Sequence, residues 1–187
     1  VPPGRPDRSM KLGLAYVPPD RKRQGAIVTL TARENMSLID LPRFWRYLHL
    51  RRKPEMRVAK EWFERLGVRP ADGLNNRFDT FSGGNQQKIV MAKGLRSNPR
   101  VFLVDEPTQG VDVGARQDLH DELRDAASHG TAVVVASSDT RELGDLCDRV
   151  LILRNGLIAA QLTGGDVNAA TISHFVLDSN SSEVTST

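Results

Sequence analysis

The sequence predicts an α/β fold built on a mostly parallel sheet with flanking helices. Apolar runs at 101–104 and 131–137 have the length and the residue types of buried parallel strands. Stretches at 85–97 and 114–128 have helical character and precede these two strands. Because strands that alternate with helices favour parallel pairing, these observations together predict the α/β class.

The composition predicts one domain of ordinary size. The 187 residues are enough to bury a core, and 39% apolar and 26% charged residues are typical of a soluble globular chain. No apolar run approaches the roughly 18 residues of a membrane span. The net charge of +3 is too small to indicate a nucleic-acid partner by itself. The single cysteine, Cys147, excludes an internal disulfide, fits a reducing compartment and is expected to pack at a helix end.

The first thirty residues predict little regular structure. Residues 1–8 are rich in Pro, Gly and Arg and are expected to be disordered. Residues 12–17 predict a short strand, which ends at Pro18 and Pro19. The sequence D-R-K-R-Q-G at 20–25 predicts a solvated basic loop.

Residues 31–80 predict a helix-rich insertion. The sequence T-A-R-E at 31–34 is a capping-box pattern that opens a helix to about residue 39. In 41–53 aromatic residues alternate with cations, a pattern that single-stranded nucleic acid can bind. Phe44 and Leu48 also fit helical spacing, so a helix with one buried face is favoured there.

The remaining elements follow from caps and turn residues. Pro54 suits the first turn of a helix ending near Gly67, and Gly130 closes the helix at 114–128. Asn155-Gly156 predicts a hairpin. The other predicted elements are a short helix at 140–147, hairpin strands at 150–153 and 157–162, an amphipathic helix at 166–177 and a disordered polar tail at 178–187.

Two candidate ligand-binding features lie between residues 81 and 112. Ser82, Gly83 and Gly84, here called the glycine turn, expose backbone N–H groups where a helix begins, a common anion site as well as a common structural cap. Asp105 and Glu106 follow the strand at 101–104, where open α/β sheets bind ligands. One carboxylate can hold Mg²⁺ through water, and the other can orient an attacking water.

Three segments carry a family resemblance. They are F-S-G-G-N-Q-Q-K at 81–88, V-F-L-V-D-E-P-T at 101–108 and Q-G-V-D-V-G-A at 109–115. In this order they resemble the signature loop, the Walker B strand and the D-loop of ABC-type ATPases. The branch they resemble most is the second nucleotide-binding domain of the fused double-domain ATPases that drive ribose-, galactose- and xylose-type sugar importers. The resemblance extends over about 12–177.

The resemblance implies a fold, cofactors and site residues. The fold would be P-loop NTPase-like, with a helical subdomain at 31–80 that docks on a permease and the signature helix and remaining catalytic core at 81–177. ATP and Mg²⁺ would be the cofactors, with Asp105 as the metal ligand. The implied catalytic residues are Glu106 and Ser138, and the implied nucleotide-binding residues are Ser82, Gly83, Gly84, Asn85, Gln86, Asp105 and Asp112.

The chain departs from the family pattern at three places. No G-x-x-x-x-G-K-[ST] phosphate cradle occurs, so we expect a partial domain, truncated at its N-terminus so that the Walker A strand, loop and helix are missing, and inactive alone. Pro19 stands where a glutamine usually senses magnesium, and Ser138 stands where a histidine usually contacts the γ-phosphate. These departures weaken the domain's own site, so its stronger expected role is to complete a partner's site, with Asp112 coupling the two.

The implied setting is the cytoplasmic face of the inner membrane, as a peripheral protein. The implied partners are the first nucleotide-binding domain of the same longer chain or a second ATPase subunit, a membrane-spanning permease and, indirectly, a sugar-binding protein, with no nucleic acid. Two alternatives stay open. One is a soluble ABC-type ATPase acting on DNA or ribosomes, although 31–80 lacks the sustained heptads of DNA-repair arms. The other is a non-catalytic regulatory remnant.

Overall fold

The computed structural model describes residues 4–47 and 49–181, with side chains up to residue 177. This part of the chain divides into two compact units, the first ending at Ala136 and the second beginning at Ser137. The boundary falls inside 81–177, which the sequence predicted as one piece. None of the helices in the described residues is long and apolar enough to cross a membrane.

The helices and strands are numbered in chain order. The helices are α1 Pro6–Lys11, α2 Ala32–Ser37, α3 Leu41–Phe44, α4 Arg52–Arg65, α5 Gly83–Leu95, α6 Val113–Ser128, α7 Thr140–Leu146 and α8 Ala169–Ser181. The strands are β1 Leu14–Val17, β2 Trp45–Arg46, β3 His49–Leu50, β4 Val101–Asp105, β5 Ala132–Ala136, β6 Arg149–Arg154 and β7 Leu157–Thr163. Short 3₁₀ turns lie at Leu38–Asp40, Gly73–Asn75, Phe78–Thr80 and Gly164–Asp166.

The first unit contains a parallel sheet with the strand order β1–β4–β5. In the register, Tyr16 pairs with Leu103, which pairs with Val134. The face that carries Phe102 and Val104 is buried. Helix α5 contacts this sheet so closely that a Cβ on Gly94 would lie 2.6 Å from the Phe102 ring. The predicted α/β class with parallel pairing is therefore confirmed.

The opposite face of this sheet is exposed. Tyr16 and Val134 lie there, with 54% and 53% of their surface accessible. The prediction that 131–137 forms a buried strand is therefore wrong about burial, although the strand exists. A run of valines favours a strand, but burial of both faces requires a layer on each side, and in the described chain β5 is at the sheet's edge with no fully buried residue.

The N-terminal region is more ordered than its sequence predicted. Helix α1 begins at Pro6, which suits a first helical position, so residues 6–8 are helical; residues 1–3 lie outside the described residues. The predicted loop at 20–25 contains a π-helical turn at Arg21–Gly25. Its start is fixed by Asp20, whose Oδ1 accepts hydrogen bonds from the backbone N–H groups of Lys22 and Arg23.

The helix-rich insertion forms, with one error in its prediction. The capping box at the start of α2 is present: Thr31 Oγ1 accepts from Glu34 N, and Glu34 Oε2 accepts from Thr31 N. The predicted helix at 41–53 is replaced by α3 and the β2–β3 hairpin. The turn between these strands includes Tyr47 at φ 55°, and Leu48 lies outside the described residues.

Helix α4 lies within the insertion and packs against the residue that precedes the glycine turn. It begins two residues before Pro54 and ends at Arg65, followed by Gly67 at φ 58°, as expected for a glycine that ends a helix. The Phe63 ring packs edge-on against Phe81, the residue that precedes the glycine turn.

The second unit contains α7, the β6–β7 hairpin and α8. Asn155 and Gly156 have φ values of 48° and 77°, which confirms the predicted turn. Cys147 caps α7 and packs on the unit's apolar cluster, as predicted, and burial raises the pKa of its thiol. Helix α8 extends to Ser181, so the first residues of the predicted tail are helical; 182–187 lie outside the described residues.

Candidate functional site

The glycine turn forms the N-terminus of α5, a 13-residue helix. Ser82 is the exposed N-cap residue, and its Oγ accepts hydrogen bonds from Asn85 N at 3.4 Å and Asn85 Nδ2 at 2.9 Å. The Asn85 side chain also accepts from Arg69 N at 2.9 Å. Asn85 therefore fixes the serine hydroxyl at the opening of the helix.

The two glycines of the turn permit close approach of neighbouring segments. A Cβ on Gly83 would lie 2.8 Å from Arg21 Nη2 and 3.0 Å from the carbonyl oxygen of Gly110. A Cβ on Gly84 would lie 3.1 Å from Asp112 Oδ2. A side chain at Gly83 would displace the Arg21 guanidinium and crowd the Gly110 carbonyl, and one at Gly84 would crowd the Asp112 carboxylate, so the packing favours glycine at both positions.

Gln86 does not face the opening of the turn, which corrects its predicted nucleotide contact. Its side chain is only 2% exposed, and its Nε2 donates to the carbonyl oxygens of Phe78 and Phe81. Ser82 is the N-cap residue with a non-helical backbone, so its exposed side chain and the buried side chain of Gln86 point in different directions. Gln86 therefore fixes the main chain before the turn.

The D-loop, residues 109–115, lies beside the glycine turn. Asp112 is the N-cap of α6, and its Oδ1 accepts from Ala115 N at 2.9 Å. Arg21 Nη1 donates to the carbonyl oxygen of Gln109 at 2.8 Å. The sequence predicts a solvated loop here and gives no signal of this contact, because nothing in D-R-K-R-Q-G distinguishes Arg21 from its cationic neighbours.

Asp105 is the last residue of β4, at the carboxyl end of the parallel sheet as predicted. It lies on the exposed face, and its Oδ2 accepts a hydrogen bond from the Tyr16 hydroxyl at 3.3 Å. Burial, and then the charge of Asp105, raise the pKa of Tyr16. The carboxylate therefore stays at a solvent-accessible edge where a charged ligand can reach it.

Glu106 follows Asp105 in an uncommon backbone conformation. Its φ is 49°, and its backbone N–H donates to the carbonyl oxygen of Ala136 at 2.8 Å. Few non-glycine residues adopt the left-handed region, and such residues concentrate at functional sites. The chain therefore leaves the strand at Glu106, directly after Asp105.

The two departures from the family pattern occupy different units. Pro19 belongs to the first unit and lines a cavity of about 340 Å³ together with Asp20, Arg21, Lys22 and Gln109. Ser138 is exposed and belongs to the second unit, where its neighbour Asp139 caps α7. Proline offers no side-chain donor or acceptor there, and a serine hydroxyl does not take a positive charge.

The carboxylates are compatible with magnesium held jointly with phosphate groups. In the described part of the chain, no three His, Cys, Asp or Glu side chains converge on one point. Mg²⁺ usually takes one or two protein carboxylates plus water and phosphate oxygens, so a site with a single strand-end Asp fits it. Asp105 is the residue that would hold the ion.

The family is decided by a match over more than half of the chain: the model of the ABC transporter family matches residues 5–109. The chain belongs to the ABC transporter family. Individual relatives of this ABC transporter domain include the ribose import ATP-binding protein RbsA of Jannaschia sp. (strain CCS1). The two are 39% identical over 88% of this chain and 32% of the relative.

A second relative supports the same assignment, and two solved structures show the fold. Ribose import ATP-binding protein RbsA 2 of Rubrobacter xylanophilus is 40% identical over 86% of this chain and 31% of its own. The chain spans about a third of the length of these relatives. The ATP-binding cassette MJ0796, in a dimeric post-hydrolysis state bound to ADP and Pi, superposes with a TM-score of 0.73 over 87% of this chain and 68% of its own, at 22% identity. A second dimeric structure of MJ0796 gives 0.72. The fold is therefore that of an ABC cassette.

Proposed function

We propose that this chain is part of the ATP-binding and ATP-hydrolysing subunit of an ABC transporter that imports a monosaccharide. The observation that carries the proposal is the exposed glycine turn at the start of α5, packed against the D-loop at Gly84 and Asp112. Similarity to ribose import ATP-binding proteins supports the substrate class. Ribose, galactose and xylose are the candidate sugars.

The glycine turn would bind the phosphates of a nucleotide held by a partner domain. The N-terminus of a 13-residue helix carries partial positive charge and unpaired N–H donors. Ser82 is exposed at this end, and Asn85 holds its hydroxyl in place. Asp112 would couple the two domains through the D-loop, because it caps α6 and contacts the turn.

The carboxylate pair would serve this domain's own nucleotide site. ATP with Mg²⁺ supplies the phosphoryl group whose hydrolysis powers transport. Asp105 would hold the ion, and Glu106 would orient the attacking water. Ser138 would offer a hydroxyl near the γ-phosphate, without the charge of an imidazolium. With Pro19 also unable to ligate, this site is the weaker of the two.

The phosphate cradle would lie in protein outside these 187 residues. The partner holding the second nucleotide would be the first nucleotide-binding domain of the same longer chain or a second ATPase subunit. Residues 31–80 would dock on a permease at the cytoplasmic face of the membrane, and a sugar-binding protein would deliver the substrate to the permease.

Transport in a reconstituted system tests this function. The full-length protein and its permease are placed in proteoliposomes. The sugar-binding protein and labelled ribose, galactose or xylose are added on one side of the membrane, and ATP is added on the side that carries the ATPase. We expect ATP-dependent transport of at least one of these sugars, lost in Ser82→Arg. Ser128→Arg makes the same change at an exposed serine at the end of α6; it is the control and should retain transport. ATP hydrolysis that responds to DNA or ribosomes and never to a sugar would replace the proposal with the soluble alternative.

A further inference from the structure

Arg21 contacts two loops that the proposed function assigns to nucleotide chemistry. Its Nη1 donates to the Gln109 carbonyl oxygen at 2.8 Å. Its Nη2 lies 2.8 Å from the position of a Cβ on Gly83, in the glycine turn, and 3.5 Å from the equivalent position on Gly110, in the D-loop. One guanidinium therefore lies between the glycine turn and the D-loop.

The turn that carries Arg21 is anchored at both ends. At its start, Asp20 accepts hydrogen bonds from two backbone N–H groups of the turn. At its end, Gly25 packs on Val90 of α5, and Lys93 Nζ donates to the Gly25 carbonyl oxygen. Because the π-helical turn is fixed to the body of α5, Arg21 has a defined base from which to hold the two loops.

The shape of the side chain matters as well as its charge. A guanidinium is planar and carries several donors in a fixed fork, so one arm can bond a carbonyl while the plane packs against glycine. The Nε of Arg21 is buried and has no hydrogen-bond partner in the described part of the chain. An unpaired buried donor costs stability, which argues against a purely stabilising role for this side chain.

We propose that Arg21 is a positioning residue that holds the glycine turn and the D-loop in their mutual arrangement. It would supply, from the segment that follows β1, a side-chain link that Pro19 at the magnesium-sensing position has no group to make. This inference rests on the proposed function, because the two loops matter for turnover only if nucleotide is hydrolysed between domains.

The test is ATP turnover by the full-length protein with its permease, measured as kcat and KM. Arg21→Ala is expected to lower kcat about tenfold, since small misplacements of positioned groups cost that much or more, and to leave KM within about twofold. Arg21→Lys should recover part of the loss, and so should ethylguanidinium added to Arg21→Ala, since the residue borders an open cavity. Arg23→Ala, an exposed cation on the same turn, is the matched control and should match the wild type.

The outcomes separate this inference from the function on which it rests. A wild-type assembly without ATPase activity contradicts the function. An active wild type with equal kcat for Arg21→Ala and Arg23→Ala overturns the inference, and so does a loss of kcat that neither lysine nor ethylguanidinium reverses. If Arg21→Ala does not fold, kcat of the folded Arg21→Lys variant is compared with that of the wild type. An equal kcat means that the forked guanidinium is not needed and overturns the inference, and a partial loss supports the inference.

Discussion

The two faces of the β1–β4–β5 sheet differ in what covers them. On one face Phe102 is fully buried, with Gly94 of α5 directly against its ring. On the other face Tyr16 and Val134 are more than half exposed, and Asp105 lies beside Tyr16. The same three strands thus present a packed interior surface and a solvent-accessible one.

This difference divides the candidate site into two physically distinct halves. The glycine turn begins the helix that covers the buried face, so its position is fixed by core packing and by contacts with Asp112 and Arg21. The carboxylate of Asp105 lies on the exposed face with one hydrogen bond from Tyr16. The glycine turn therefore has a pre-organised geometry, and the carboxylate of Asp105 is accessible to a ligand from solvent.

Truncating a side chain on each face of β4 tests the contrast most strongly. Phe102→Ala should lower the free energy of unfolding by about 3–5 kcal/mol, because it leaves a cavity beneath α5. Leu103→Ala, the next residue on the opposite face, should cost about 1 kcal/mol because it is only half-buried. Urea denaturation of both variants measures the difference, and equal losses would mean that the two faces are equally packed.

Adding one methyl group to Gly94 tests how tightly α5 packs. Alanine normally favours a helix over glycine by about 1 kcal/mol. Here the new Cβ would lie 2.6 Å from the Phe102 ring, so Gly94→Ala should instead destabilise the protein by about 1–3 kcal/mol. Gly114→Ala in α6, whose nearest contact would be 3.5 Å, is the control and should be neutral or stabilising. A stabilised Gly94→Ala would show that the covered face is loose.

Removing the cap of α6 tests the D-loop beside the turn. Asp112→Ala deletes the acceptor for Ala115 N and should cost about 1 kcal/mol. Asp121→Ala, a change to an exposed aspartate within the same helix, should cost less than about 0.5 kcal/mol. Thermal unfolding separates the two variants, and equal midpoints would exclude a capping role for Asp112.

The smallest expected effect is a pH dependence on the exposed face. Tyr16 has a raised pKa in the folded protein, so above about pH 10 the unfolded chain loses this proton first. The contribution of Tyr16 to the free energy of unfolding is therefore fully present below about pH 10 and should decline as the pH rises toward the folded pKa. Tyr16→Phe should remove this contribution to the slope of unfolding free energy against pH, and an unchanged slope would show that Tyr16 is not shifted.

The predictable parts of the fold were those governed by local chemistry. The Asn155-Gly156 hairpin and the Thr31–Glu34 capping box formed as predicted, because each depends on a few adjacent residues with specific backbone or hydrogen-bond preferences. The parallel pairing of 101–104 with its neighbours also followed from the sequence pattern.

The parts that sequence could not provide depend on distant contacts. The hairpin after Phe44 turns at Tyr47 with a positive φ, for which a tyrosine gives no signal, while helical spacing at 41–53 favoured the wrong element. The burial of Gln86 and the contact of Arg21 with Gln109 join residues that only the tertiary fold brings together. Apart from that of Gln86, the roles of the predicted site residues in nucleotide binding remain predictions.

The central claim, that the glycine turn contributes more to catalysis than this domain's own carboxylates, can be measured in one assay. ATP turnover is compared for Ser82→Arg and Glu106→Gln in the full-length protein with its permease. We predict a loss of about a hundredfold for Ser82→Arg, as for removal of a key transition-state contact, and less than about twofold for Glu106→Gln. A severe loss in Glu106→Gln with near-normal turnover in Ser82→Arg would contradict the account.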